Sequence, residues 1–128
     1  MADRLLFDTD VLIDYLRDEP AAVGFISHLT ERPAVSAITI AELYAGVRDG
    51  EERTALDSFI TSFEILPVTE AIARRGGLVR RDYHRSHNVS LPDALIAATC
   101  EVHGLPLVTL NRRHYPMATN LQVPYTKA

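Results

Sequence analysis

Three acids, Asp8, Glu42 and Asp93, stand in apolar company where a carboxylate is out of place. Asp8 closes the run Leu5-Leu6-Phe7, Glu42 interrupts the stretch from Ala37 to Ala45, and Asp93 precedes Ala94-Leu95-Ile96-Ala97-Ala98. A carboxylate withdrawn from water is costly unless it is paired or binds a metal. Acids delivered from three distant points suit a hard divalent cation such as Mg²⁺, which prefers oxygen ligands. The gaps are 34 residues from Asp8 to Glu42 and 51 from Glu42 to Asp93, so tertiary folding, not a local loop, must assemble the site.

The elements that would do this are readable from periodicity and punctuation. Residues 4–7 read as a short buried strand, and 33–36, 65–68, 105–109 and 121–124 as further strands. Helices are expected over 11–17, 20–29, 38–47, 51–63, 71–84 and 91–103, with Pro20 and Pro92 suited to first turns and Gly104 to a C-terminal stop. Thr9 or Asp10 is placed to cap the first of them. Gly76-Gly77 weaken the Arg-rich helix by about 1 kcal/mol each relative to Ala, so a bend or a close packing contact is expected there. Strands alternating with helices predict a three-layer α/β/α domain, residues 1–128, around a central, mostly parallel sheet. In such sheets ligands bind beyond the C-terminal ends of the strands. Asp8 ends the first strand and Thr109 and Asn111 the fourth, while Glu42 and Asp93 begin helices that can point at the same edge.

Composition narrows the class. At 128 residues the chain supports one domain with a single core, and 47% hydrophobic with 23% charged residues fits a soluble globular protein. No apolar run reaches the roughly 18–20 residues that cross a bilayer, and no signal peptide is expected from the N-terminal sequence. Cys100 is the only cysteine, so no internal disulfide forms, which suits the cytoplasm. The net charge of −4 divides unevenly: 14 acids and five bases in residues 1–70 give −9, while three acids and eight bases in residues 71–128 give +5. Twelve of the bases are Arg, and the only lysine is Lys127. A basic half beside an acidic site suits a polyanion held over metal ions, and a solvated helix face explains the same charges.

Four segments carry a resemblance. Phe7-Asp8-Thr9-Asp10-Val11-Leu12-Ile13, Thr39-Ile40-Ala41-Glu42-Leu43, Pro92-Asp93-Ala94-Leu95-Ile96-Ala97 and Leu107-Val108-Thr109-Leu110-Asn111 resemble, in order, the successive motifs of PIN-domain ribonucleases, nearest to the VapC toxins of bacterial toxin–antitoxin pairs. The resemblance covers nearly the whole chain. It implies an endoribonuclease dependent on Mg²⁺ or Mn²⁺, a homodimer that attacks RNA and inhibits translation or growth, and an antitoxin whose C-terminal segment covers the active site. Asp8, Glu42 and Asp93 match the family's first three acids, Asp8 and Asp93 as metal ligands. At the place of a fourth acid this sequence has His114, which leaves one-metal and two-metal mechanisms both open.

The neighbours of the acids have two readings each. Thr9 offers a hydroxyl to the site or a helix cap, Asp10 a cap or a ligand, and Asp14 is expected to be solvated. Thr109 and Asn111 position Asp8 or a substrate phosphate, although turn chemistry also places Asn there. Arg112 and Arg113 grip RNA phosphate or lie idle on the surface. His114 orients water or binds metal in place of the acid, or is a hydrogen-bonded structural residue, since Mg²⁺ rarely takes imidazole. Tyr44 and Tyr83 are expected in packing rather than base stacking, Cys100 in the core, and His28, His84, His87 and His103 on the surface. Two rival functions remain. Asp8-Thr9-Asp10 resembles the Asp-x-Asp nucleophile of haloacid-dehalogenase-like phosphatases, which also need a downstream Lys not found here except at Lys127. The other rival is a non-catalytic PIN-fold module that only binds RNA or protein.

Overall fold

The structure, a computed structural model, describes residues 4–126, so Lys127 lies outside the described residues. Five short strands, β1 (Leu6–Phe7), β2 (Ala34–Ser36), β3 (Glu64–Leu66), β4 (Leu107–Val108) and β5 (Leu121–Gln122), form one sheet in the order β3-β2-β1-β4-β5. Every pairing is parallel, where a mostly parallel sheet was expected. Six helices flank it: α1 (Thr9–Leu16), α2 (Pro20–Ser27), α3 (Ala37–Ala45), α4 (Glu51–Phe59), α5 (Glu70–His87) and α6 (Leu91–His103).

The period-two alternation of the strands produces the layers. Leu6, Ala34 and Leu107 point to one face, where Ile96, Ala97, Cys100 and Tyr115 complete a cluster with α6. Phe7, Val35 and Val108 point to the other, packed with Val11 and Leu12 of α1, Leu43 of α3, Leu56 of α4 and Phe63 just before β3. Cys100 is a core residue, its thiol pushed up to about 12 by burial, and the four histidines expected on the surface are all exposed. No helix among the described residues is long and apolar enough to cross a membrane.

Boundaries moved where tertiary contacts overrode local cues. The helix expected over 51–63 ends at Phe59 and continues as a 3-10 turn, Ile60–Ser62, so that Phe63 can enter the core. The helix expected over 71–84 runs unbroken through Gly76-Gly77 from a Thr69 cap to His87, ending on Asn88 in the left-handed region at φ 51°. The glycine pair therefore does not interrupt the helix. Gly76 is instead a contact point between α5 and α6: a Cβ there would lie 2.5 Å from Leu95 Cδ2 and 3.2 Å from Leu95 Cα, whereas one on Gly77 meets nothing within 4 Å. Two substitutions should thus have opposite signs. Gly77→Ala should raise stability by about 0.5–1 kcal/mol through helix propensity. In Gly76→Ala that gain is outweighed by overpacking of about 1–3 kcal/mol. Urea unfolding of both variants checks this, and parallel shifts would sink the close-contact account.

Candidate active site

Strand register assembles the centre of the site. Leu6 pairs with Leu107 and Phe7 with Val108, so the next residues, Asp8 and Thr109, leave adjacent strands side by side. The Asp8 N–H donates to the Val108 carbonyl at 2.9 Å, and Thr109 Oγ1 donates to Asp8 Oδ2 at 2.8 Å. Leu6 also pairs with Ala34, which brings the end of β2 and its cap Ser36, the start of α3, to the same edge. This edge lies where the chain, after building β1, β2 and β3 to one side, returns to build β4 and β5 on the other, the usual ligand site of such a sheet.

Asp8 itself is the N-cap of α1, a place expected for Thr9 or Asp10. Its Oδ1 accepts from the Thr9 N–H at 2.8 Å. Thr9, in the first turn, gives its hydroxyl to Glu42 Oε1 at 2.7 Å and lies 3.0 Å from the Thr39 hydroxyl. Glu42 is exposed and sits in the second turn of α3, not at its start, so Thr9 alone links it to the Asp8 cap. Asp93 lies in the first turn of α6 under the Ser90 cap, whose Oγ accepts from the Asp93 N–H at 3.2 Å. Its Oδ2 is 3.3 Å from His114 Nδ1, and its Oδ1 accepts from the Tyr115 hydroxyl at 3.2 Å.

Asp10 is a structural cross-link. Its Oδ1 accepts from the Val11 N–H at 2.7 Å, and its Oδ2 from the Leu110 N–H at 2.9 Å and Asn111 Nδ2 at 3.0 Å, with Thr109 Oγ1 at 3.2 Å. Asn111 thereby ties the loop after β4 to α1. Asp14 was expected in solvent and is instead buried, with Tyr125 donating to its Oδ2 at 2.8 Å, because the C-terminal segment folds back over α1. Arg112, Arg113 and His114 form an exposed 3-10 turn beside Asp93. Tyr44 hydrogen-bonds Asp57, and Tyr83 packs against the Val79–Val89–Ala94 cluster. Tyr115 escaped the sequence reading. The only signal was an aromatic directly after the basic residues that follow the fourth motif, which does not distinguish a core residue from a site residue.

Electrostatics single out Asp8. It is 6% exposed, and burial, reinforced by the Asp10 charge, pushes its carboxyl up to about 7 against the pull of its hydrogen bonds. Burial likewise raises Asp10. Among the described residues, no Arg or His forms an ion pair with Asp8, Asp10 or Glu42. Nor do three or more His, Cys, Asp or Glu side chains close up into a ready metal cluster among those residues. Carboxylates without a counter-charge repel one another, and here a Tyr hydroxyl occupies the space near Asp8 and Asp93. An oxygen-only, negatively charged donor set, in which Asp93 alone has an imidazole beside it among the described residues, fits a hard divalent cation.

A groove of about 450 Å³ opens beside Glu42, lined by Ile13 and Leu16 of α1, Leu43 and Val47 at α3, and Leu56 of α4, with Arg17 and Arg48 at its edge. Leu12, the residue before Ile13 on α1, lies in the core.

Comparison with known proteins agrees with this architecture. The family model described as the PIN domain matches residues 5–119. Ribonuclease VapC10 of Mycobacterium tuberculosis is 44% identical over 94% of this chain and 92% of its own length. Ribonuclease VapC19 of the same organism is also 44% identical, over 94% of this chain and 98% of that protein. A solved toxin–antitoxin complex from Klebsiella pneumoniae contains a chain that superposes with a TM-score of 0.82 at 28% identity, covering 94% of this chain and 98% of that one. The chain belongs to the PIN domain family and, within it, to the VapC ribonucleases.

Proposed function

We propose that residues 1–128 act as one PIN domain, a metal-dependent endoribonuclease that serves as the toxin of a toxin–antitoxin pair and stops translation or growth by cutting RNA in the cytoplasm. The observation that carries the chemistry is Asp8, a buried carboxylate with no base paired to it among the described residues, at the sheet edge where ligands usually bind. Asp8 and Asp93 are the metal-binding pair, for Mg²⁺ or alternatively Mn²⁺. Asp8 and Asp93 would hold the divalent ion, which would supply polarisation of the scissile phosphate and a bound water of lowered pKa. The chain's own residues prepare that step. Thr109 Oγ1 and the Thr9 N–H each hold one oxygen of Asp8. The Thr9 hydroxyl anchors Glu42 by Oε1, leaving Oε2 to orient the attacking water. Asn111 keeps Asp10 and the loop after β4 in place, and His114 steadies Asp93. Arg112 and Arg113, exposed on the turn next to Asp93, bind RNA phosphates on either side of the cut.

The active form is a homodimer, and the antitoxin lays an apolar segment into the groove between α1, α3 and α4 while offering an Arg to the acids. The Klebsiella complex supports the partner, and the names of the mycobacterial relatives support the reaction. Purified protein should cut cellular RNA with Mg²⁺, stop when EDTA removes the ion, and resume when it is restored. Mapped RNA ends give the readout. Asp93→Asn should lower cleavage by more than the roughly 100-fold that loss of an outer-shell partner costs. Binding of RNA without any metal-dependent cleavage would favour the non-catalytic module.

A further inference from the structure

Tyr115 reaches the acids from the core. Its ring is 2% exposed and packed in the cluster of Leu6, Ile96, Ala97 and Leu107, so the side chain has one available pose. Its hydroxyl emerges at the place where Asp8 and Asp93 come nearest to a common neighbour. It donates to Asp93 Oδ1 at 3.2 Å, with the Asp8 carboxylate close by. Among the described residues the remaining Asp93 oxygen meets only His114, whose side chain is 55% exposed and therefore a weak brace. Asp93 projects from the first turn of α6, where no other described residue holds its carboxylate. A rigid, neutral donor bonded to one candidate ligand carboxylate and standing near the other is an arrangement by which an outer shell orients metal ligands. A Phe at this position would fill the same core volume and leave Asp93 to the exposed imidazole.

We propose that the Tyr115 hydroxyl is a positioning group of the cation site, holding the Asp93 carboxylate toward Asp8 so that one ion can use both. This rests on Asp8 and Asp93 being the metal-binding pair. Tyr115→Phe removes one oxygen and keeps the ring. Calorimetric titration with Mg²⁺ or Mn²⁺ is expected to show about tenfold weaker binding in this variant, with cleavage falling in step at subsaturating metal and recovering as the ion is raised. A hydroxyl with a merely structural role would lower the thermal midpoint and leave metal affinity, measured well below that midpoint, unaltered. That result would overturn the proposal. Asp8→Asn serves as control and should lose ion binding outright. Undiminished binding in Asp8→Asn would remove the metal pair itself, and the role of Tyr115 with it, a failure distinct from loss of the Tyr115 effect alone. The unsubstituted protein provides a second readout that needs no variant to fold. With ¹³Cζ-labelled tyrosine, the Tyr115 resonance should move on adding Mg²⁺ and saturate at the calorimetric Kd. A resonance that stays put while the ion binds would overturn the proposal as well.

Discussion

Asp8→Asn should abolish metal-dependent RNA cleavage and, at the same time, make the metal-free protein more heat-stable above pH 7. Both effects come from one buried charge. Burial first, and the Asp10 charge second, raise the Asp8 carboxyl from 3.8 to about 7. In the unfolded chain Asp8 gives up its proton near pH 4, while in the fold it keeps it to about pH 7. Across that interval the native state binds more protons than the unfolded state, so stability declines as pH rises and the penalty is complete above about pH 7. A displacement from 3.8 to about 7 is worth roughly 4 kcal/mol between the two protonation states. Asn keeps an oxygen for the Thr9 N–H, so the cap of α1 survives. It cannot carry the charge that the ion needs. The midpoint of Asp8→Asn should exceed that of the parent by roughly 5–10 °C at pH 8, with the difference vanishing toward pH 4. Added Mg²⁺ should stabilise the parent more at pH 8 than at pH 5, because ion and proton compete for the same carboxylate. Thermal scans of both proteins across pH 4–8 measure this. A pH-independent difference would refute the burial account of Asp8, and cleavage retained in a nuclease-free preparation would refute its role in the reaction.

The other large effect is expected at Asp10, beside the acids. Asp10→Ala deprives the Val11 and Leu110 N–H groups and the Asn111 amide of their acceptor, and Thr109 of a neighbour. Donors left unsatisfied in a partly buried place cost about 1–3 kcal/mol each where water cannot reach them. A total loss of roughly 2–4 kcal/mol is expected in urea unfolding. Cleavage should fall too, since the loop after β4 carries Thr109, the hydroxyl that holds Asp8 Oδ2. Asp10→Asn retains an acceptor oxygen and removes a charge that burial disfavours, so it should cost far less. Equal losses in the two variants would show that the charge matters and the cross-link does not.

The fold was legible because its signals were local. Alternating apolar residues, the caps at Thr69 and Ser90, Pro20 and Pro92 in first turns and the stop at Gly104 all sit where local chemistry would put them. The exit of the first strand at Asp8 and the apolar company of Asp93 marked the candidate site in the same way. Less legible were features that depend on what lies across space. Gly76-Gly77 looked like a weak point of a helix and is a contact with Leu95 on its partner helix. Asp14 looked like one turn of a wet face and is covered by Tyr125 from 111 residues further along the chain. Glu42 looked like a buried acid, yet the helix turns it outward, where only Thr9 and Thr39 mark its connection to the centre.

The class of the sheet and the apolar company of Asp8 and Asp93 were readable from residue order, because periodicity, capping and residue type act over a few neighbouring residues; His114 at the place of a fourth acid came from the resemblance to the PIN-domain motifs. Tertiary structure alone decided how those acids are held. Register between β1 and β4 set Asp8 beside Thr109, a separation of 101 residues that no local pattern encodes. It buried Asp8 with no basic partner among the described residues, gave Asp10, read as a cap or a ligand, the hydrogen bonds of a cross-link, and brought the Tyr115 hydroxyl out of the core to Asp93. The physical reason is the same in each case: burial and hydrogen-bond partners depend on chain segments far apart in sequence, and only packing brings them together.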